Sequence, residues 1–107
     1  MGKLGKLFKT PTGVYNYEIE SMKPKHVLPI SDLIEKQFGF EHTQPIIEGL
    51  DTLLYEMKLD KARITVNWDV WSGLYVLGMN DAGSEWIPKI AEYLDSIEDE
   101  LEKMMEE

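Results

Sequence analysis

The chain has 107 residues, no cysteine, and a formal net charge of −9 from 20 acidic and 11 basic side chains. That length makes one domain, able to bury roughly 65% of the surface its unfolded chain exposes. The composition excludes disulfides, thiolate metal sites and cysteine nucleophiles. The acidic balance argues against nucleic acid as a direct partner, because phosphate backbones would be repelled.

Residues 1–12 are predicted to be a flexible basic arm, since Leu4, Leu7 and Phe8 stand among glycines and lysines and cannot hold a helix alone. Residues 13–107 form the single folded domain. Charge divides the same way: residues 1–25 carry five lysines and two glutamates, whereas residues 26–107 carry 18 acids and six bases, net −12. Tyr15, Tyr17 and Ile19 alternate with Asn16, Glu18 and Glu20, the period of a strand over 14–20 with one face in water.

A connector with two prolines, Pro24 and Pro29, leads to a short helix over 31–38, capped by Ser31 or Asp32 and ended by Gly39. Ile46, Ile47, Leu50, Leu53, Leu54 and Met57 recur at helical spacing and predict a second helix over 44–58, with Thr43 as its N-cap. Next, Ile64, Val66, Trp68 and Val70 alternate with Arg63, Thr65, Asn67 and Asp69, which predicts a strand over 63–69 near an edge of the sheet. Leu74–Met79 is apolar on both faces and is placed centrally; Gly73 suits the left-handed position that closes the hairpin. A long helix follows from an N-cap at Ser84, carrying Ile87, Ile90, Leu94, Ile97, Leu101 and Met104 at spacings of three and four. The predicted fold is therefore α+β in the order β-α-α-β-β-α: an antiparallel sheet of at least three strands with helices packed on one face. Its core is expected to join Leu50, Leu54, Ile64, Val66, Trp68, Ile90 and Leu94.

No catalytic constellation is legible. His26 and His42 are 16 residues apart and lack the i, i+4 spacing of a helical zinc pair. Ser72 stands between Trp71 and Gly73, but strand follows strand there, not the strand-to-helix turn of a nucleophile elbow. No metal, cofactor or enzyme activity is implied. No stretch is long and apolar enough to span a membrane, and the absence of cysteine points to the cytoplasm.

Two features point to protein binding. Val70 and Trp71 at the hairpin tip, with Asp69, Asp81 and Glu85 nearby in sequence, suggest an aromatic anchor with acidic flanks for a basic partner, the alternative being that Trp71 folds back over the sheet or the start of the last helix, near Trp86. The far end of the last helix carries Glu98, Asp99, Glu100, Glu102, Glu106 and Glu107, which at a helix C-terminus oppose the macrodipole. Ile97, Leu101, Met104 and Met105 on that helix are a candidate seam for a weak homodimer; monomer and weak dimer are both compatible with the pattern.

The stretch Ile64-Thr-Val-Asn-Trp-Asp-Val-Trp-Ser-Gly-Leu-Tyr-Val-Leu77, followed by Trp86-Ile-Pro-Lys-Ile-Ala-Glu-Tyr-Leu94, resembles the C-terminal half of small bacterial immunity proteins. The resemblance implies an inhibitor that binds and neutralises a toxin domain. The alternatives are a small-molecule binder or minor enzyme, which needs a concave pocket, and a structural dimerisation module.

Overall fold

The computed structural model describes residues 4–49 and 52–106. In chain order the elements are β1 (Lys6–Lys9), β2 (Tyr15–Ile19), a 3-10 turn (Pro24–His26), α1 (Val27–Phe38), β3 (Glu41–His42), β4 (Ile47–Glu48), β5 (Thr52–Leu59), β6 (Ala62–Asp69), β7 (Gly73–Gly78), α2 (Asp81–Ser96) and α3 (Glu98–Glu106). The seven strands form one antiparallel sheet in the order β1-β2-β7-β6-β5-β3, with β4 also paired to β5. The fold is α+β, and the sheet has its helices on one side.

Register shows which side. Leu7, Tyr17, Val76, Val66 and Tyr55 lie opposite one another across five strands and so share a face. From that row Tyr17 donates its hydroxyl to Asp95 of α2 at 2.6 Å, and Tyr55 donates to Glu35 of α1 at 3.4 Å. Ile19, Met57, Ile64 and Leu74 are fully buried and meet Ile30 and Ile34 of α1 and Ile87, Ile90 and Leu94 of α2. Phe38, Phe40 and Trp86 add an edge-to-face aromatic cluster, with ring centroids 5.5 Å apart for Trp86 with each phenylalanine.

Several expectations are corrected. The predicted helix over 44–58 is instead β4 and β5. Leu53, Tyr55, Met57 and Leu59 face the helices, while Thr52, Leu54, Glu56 and Lys58 face away. The apolar positions fit both periods, and the two-residue link Asp60-Lys61, with Asp60 at φ 54°, closes β5 onto β6 as a hairpin. Strand β6 is therefore interior, not near an edge. Lys6–Lys9, expected within a flexible arm, pair with β2 as the outermost strand. Of the expected core, Ile64, Val66, Ile90 and Leu94 are buried and Trp68 packs partly against them; Leu54 lies on the other face, and Leu50 falls outside the described residues.

The helix boundaries also move. Helix α1 begins at Val27, and Ser31 is a buried internal residue whose hydroxyl donates to the Val27 carbonyl at 2.7 Å. Asn80, not Ser84, caps α2, accepting from the Gly83 amide at 2.7 Å. Ser84 instead accepts from the Tyr15 amide at 2.8 Å and fixes the first turn of α2 to β2. Gly83 permits this closeness: a Cβ there would stand 1.8 Å from the Arg63 carbonyl oxygen. The predicted long helix is two helices, broken at Ile97, whose φ of −113° and ψ of 29° leave the helical region.

Candidate functional site

The residues Val70–Ser72 join β6 to β7, and the turn is built by one carboxylate. Asp69 Oδ1 accepts from the Trp71 amide at 3.0 Å and from the Ser72 amide at 2.6 Å. Gly73 follows at φ 76°, packed so closely on Glu20 that a Cβ would stand 2.5 Å from the Glu20 carbonyl oxygen. The result is a turn with its backbone pinned on both sides. On it Trp71 is 81% exposed and Val70 51% exposed. Trp71 does not fold back over the sheet.

Behind the tip lies a cleft of about 400 Å³ lined by Pro24, Lys25, Leu28, Ile46, Leu53 and Trp68, together with Glu48, Gly49 and Thr52. It belongs to the same end of the molecule, because Leu53 sits opposite Trp68 and Thr52 opposite Asp69 in the β5–β6 register. The Trp68 indole donates to the Met22 carbonyl at 3.0 Å, which ties the 3-10 turn to this wall. Leu28, 49% exposed, extends the apolar surface along α1. Sequence reasoning missed the cleft because it treated 22–29 as a connector and 44–58 as a helix. The signal that could have found it is the strand period in Leu53, Tyr55, Met57 and Leu59.

The acidic residues expected beside the tip do not gather there. Asp81 and Glu85 are exposed but follow the far end of β7, whose six residues span ~20 Å. Asp81 sits in the first turn of α2, where the macrodipole accounts for it. Asp69 is at the tip but works inside the turn. The acids after Ile97 also change meaning: Glu98, Asp99 and Glu100 occupy the first turn of α3, where negative charge is stabilising. For these three the expected electrostatic mismatch disappears, because there are two helices where one was expected, while Glu102 and Glu106 remain in the C-terminal half of α3.

Of the candidate dimer seam, one residue is buried and three are half-buried. Leu101 is 1% exposed in the core, and Ile97, Met104 and Met105 pack against that core.

His26 is buried; its Nδ1 accepts from the Lys23 amide at 2.9 Å, and burial, with Lys25 and Lys23 nearby, lowers its pKa. His42 stacks on Tyr55 with ring centroids 5.5 Å apart and lies 3.7 Å from Glu35. Burial and the Asp95 carboxylate hold the Tyr17 hydroxyl protonated far above its usual range. Among the described residues, no three His, Asp or Glu side chains converge to hold a metal, and no helix is long and apolar enough to cross a membrane. Comparisons with protein-family models, curated proteins and solved structures returned no match.

Proposed function

We propose that this protein is a binding module that grips another protein through the Val70–Trp71 tip and the cleft behind it. The observation that carries this reading is Trp71, 81% exposed on a turn whose backbone is already fixed. A large aromatic presented on a fixed backbone loses less entropy on docking than one on a mobile loop, and tryptophan is enriched among the residues that dominate interface energies. The formal charge of −9 favours a basic partner and a fast, salt-sensitive encounter. An inhibitor of the immunity type, neutralising a basic toxin domain, is the form of this function that the sequence resemblance suggests. The cleft supports a second reading: about 400 Å³ with a mostly apolar lining also suits a small molecule.

The test places a photo-crosslinking residue at position 71 and, as a control, at Glu92 on the exposed side of α2. A partner captured from a lysate of the source cell through position 71 only is then purified and titrated. Trp71→Ala should weaken binding by about 2 kcal/mol or more, roughly 30-fold, mainly by faster dissociation. Its own unfolding free energy should move by less than ~0.5 kcal/mol. Equal capture by both positions, or equal affinity of Trp71→Ala, overturns the reading. Capture of nothing but a small molecule in the cleft transfers the assignment to the second reading.

A further inference from the structure

Among the described residues no helix or strand covers the face of the sheet turned away from the helices, and that face mixes large apolar side chains with polar ones. Strand alternation sends Phe8, Ile47, Leu54, Tyr75 and Leu77 to it. Register aligns them into two cross-strand rows. Phe8 lies opposite Asn16 and Asn16 opposite Leu77; Tyr75 lies opposite Asn67, Asn67 opposite Leu54, and Leu54 opposite Ile47. Phe8 and Ile47, at the two margins, are 36% and 49% exposed. Within the rows Asn16 and Asn67 are only 7% exposed, flanked by the larger side chains on neighbouring strands.

We propose that this open face is where two copies of the chain associate, packed sheet on sheet. Charge selects the occupant. The face carries Lys6, Lys58 and Arg63 against Glu18, Glu41, Glu56 and Asp69, a net of −1 in a chain of −9. Arg63 already pairs with Glu56 at 3.2 Å, and Lys6 stands opposite Glu18. A copy of the same chain would be repelled from most surfaces of so acidic a protein, but not from this one. Oppositely charged partners gain nothing from a neutral face, so the charge argument that favours a basic protein at the tip does not extend here.

Size fits a weak dimer. Five strand spacings of ~4.8 Å and strands of about six residues give a footprint of roughly 24 × 20 Å on each copy, so ~1,000 Å² is buried in total. That stands at the threshold for a specific interface. Two such faces pack about 10 Å apart with the strands of the two sheets crossing at roughly 30°. The contact is isologous, and it leaves the Val70–Trp71 tip of each copy at the end of the sandwich.

Sedimentation equilibrium of the full chain from about 5 to 500 µM at near-physiological salt is the test, with thermal melts as a check on folding. The expected result is a concentration-dependent dimer weakened at least ten-fold by Leu77→Glu and by Phe8→Glu, and unchanged by Glu92→Gln on the helical side. If Leu77→Glu fails to fold, Phe8→Glu and Ile47→Glu decide, since both sites are at exposed margins. A monomer throughout the range overturns the proposal, leaving the face to solvent or to a different protein. So does a dimer that folded Phe8→Glu and Ile47→Glu leave intact.

Discussion

Replacing Leu101 with alanine separates two accounts of the C-terminal segment. If the segment were a surface helix offering a seam to a second chain, the change would hardly affect the monomer. In the structure Leu101 is 1% exposed and belongs to the main core, so its loss is a core deletion. Three carbons at about 0.8 kcal/mol each remove ~2.4 kcal/mol of burial. A residual cavity of roughly 50 Å³ at about 24 cal/mol per Å³ adds ~1.2 kcal/mol. Alanine's better helix propensity returns only ~0.2 kcal/mol. The expected loss is about 3.5 kcal/mol, a large part of the ~5–15 kcal/mol that holds a domain of this size. Urea unfolding at about 1 µM, followed by the fluorescence of the three tryptophans, reads the monomer alone. With a slope of ~1.3 kcal/mol per M, the midpoint should fall by ~2.7 M. A loss below ~1 kcal/mol would refute the docking of α3 onto the core.

Three further outcomes follow from single contacts. Asp69→Ala removes the acceptor for two turn amides and should cost about 1–2 kcal/mol, lowering the melting temperature by about 5–10 °C, with Asp69→Asn milder because its amide oxygen still accepts; an unchanged melt for Asp69→Ala would remove the carboxylate from the turn. Asp99→Asn should destabilise by about 0.3–1 kcal/mol in urea, since Asp99 is in the first turn of α3, whereas a continuous helix from Ser84 would make the same change stabilising. His26 has a folded pKa below its ordinary 6.5, so the unfolded chain takes up a proton first as pH falls; stability should be full above about 6.5 and decline below it, by ~1.4 kcal/mol per unit of depression, and His26→Gln should flatten that slope between pH 7.5 and 5.5. An identical slope in the variant would mean that other groups govern it.

The parts of the fold legible in the sequence were those where one period stood alone. Ile64, Val66 and Trp68 against Arg63, Thr65 and Asn67 admit only a strand, and that strand is β6. The two-faced apolar run Leu74–Leu77 placed β7 between two neighbours, where it lies. Residues 44–58 failed because Leu53, Leu54 and Met57 satisfy the helical spacing as well as the strand alternation, and short apolar runs cannot separate the two. Ser84 failed as a cap because two acceptors, Asn80 and Ser84, stood four residues apart, and tertiary contact gave the second to Tyr15. The hairpin turn was legible from Asp69-Val-Trp-Ser-Gly73, but whether Trp71 stands out from it or folds back over the sheet was not. The cleft was not, since it depends on α1, β4 and β5 meeting across long separations in the chain.

Residues that the fold itself requires cannot serve as evidence of function, and this sorts the candidate site. Asp69 is required by its turn, and Asp81 and Glu98 to Glu100 are favoured by the helix ends they occupy. Their negative charge contributes to the field of the whole molecule, but their positions need no partner to explain them. Leu101 and its neighbours are required by the core. Trp71 is different. It is 81% exposed, and its turn is held by its backbone amide, a group any residue except proline would supply. Among the described residues, no contact selects an indole at that position. Leaving so large an apolar side chain in water wins no burial energy for the folded chain, whereas covering it could contribute about 1.5–3 kcal/mol to an association. The same reasoning applies to Phe8 and Ile47 at the margins of the open face, where polar residues would satisfy the strands equally well. These positions, surplus to folding, are where the chain's function is to be sought. Tip and open face differ in character, one an exposed indole on a fixed turn and one a broad sheet face of net charge −1, so the basic partner proposed for the first and the second copy proposed for the other make separate demands on the chain.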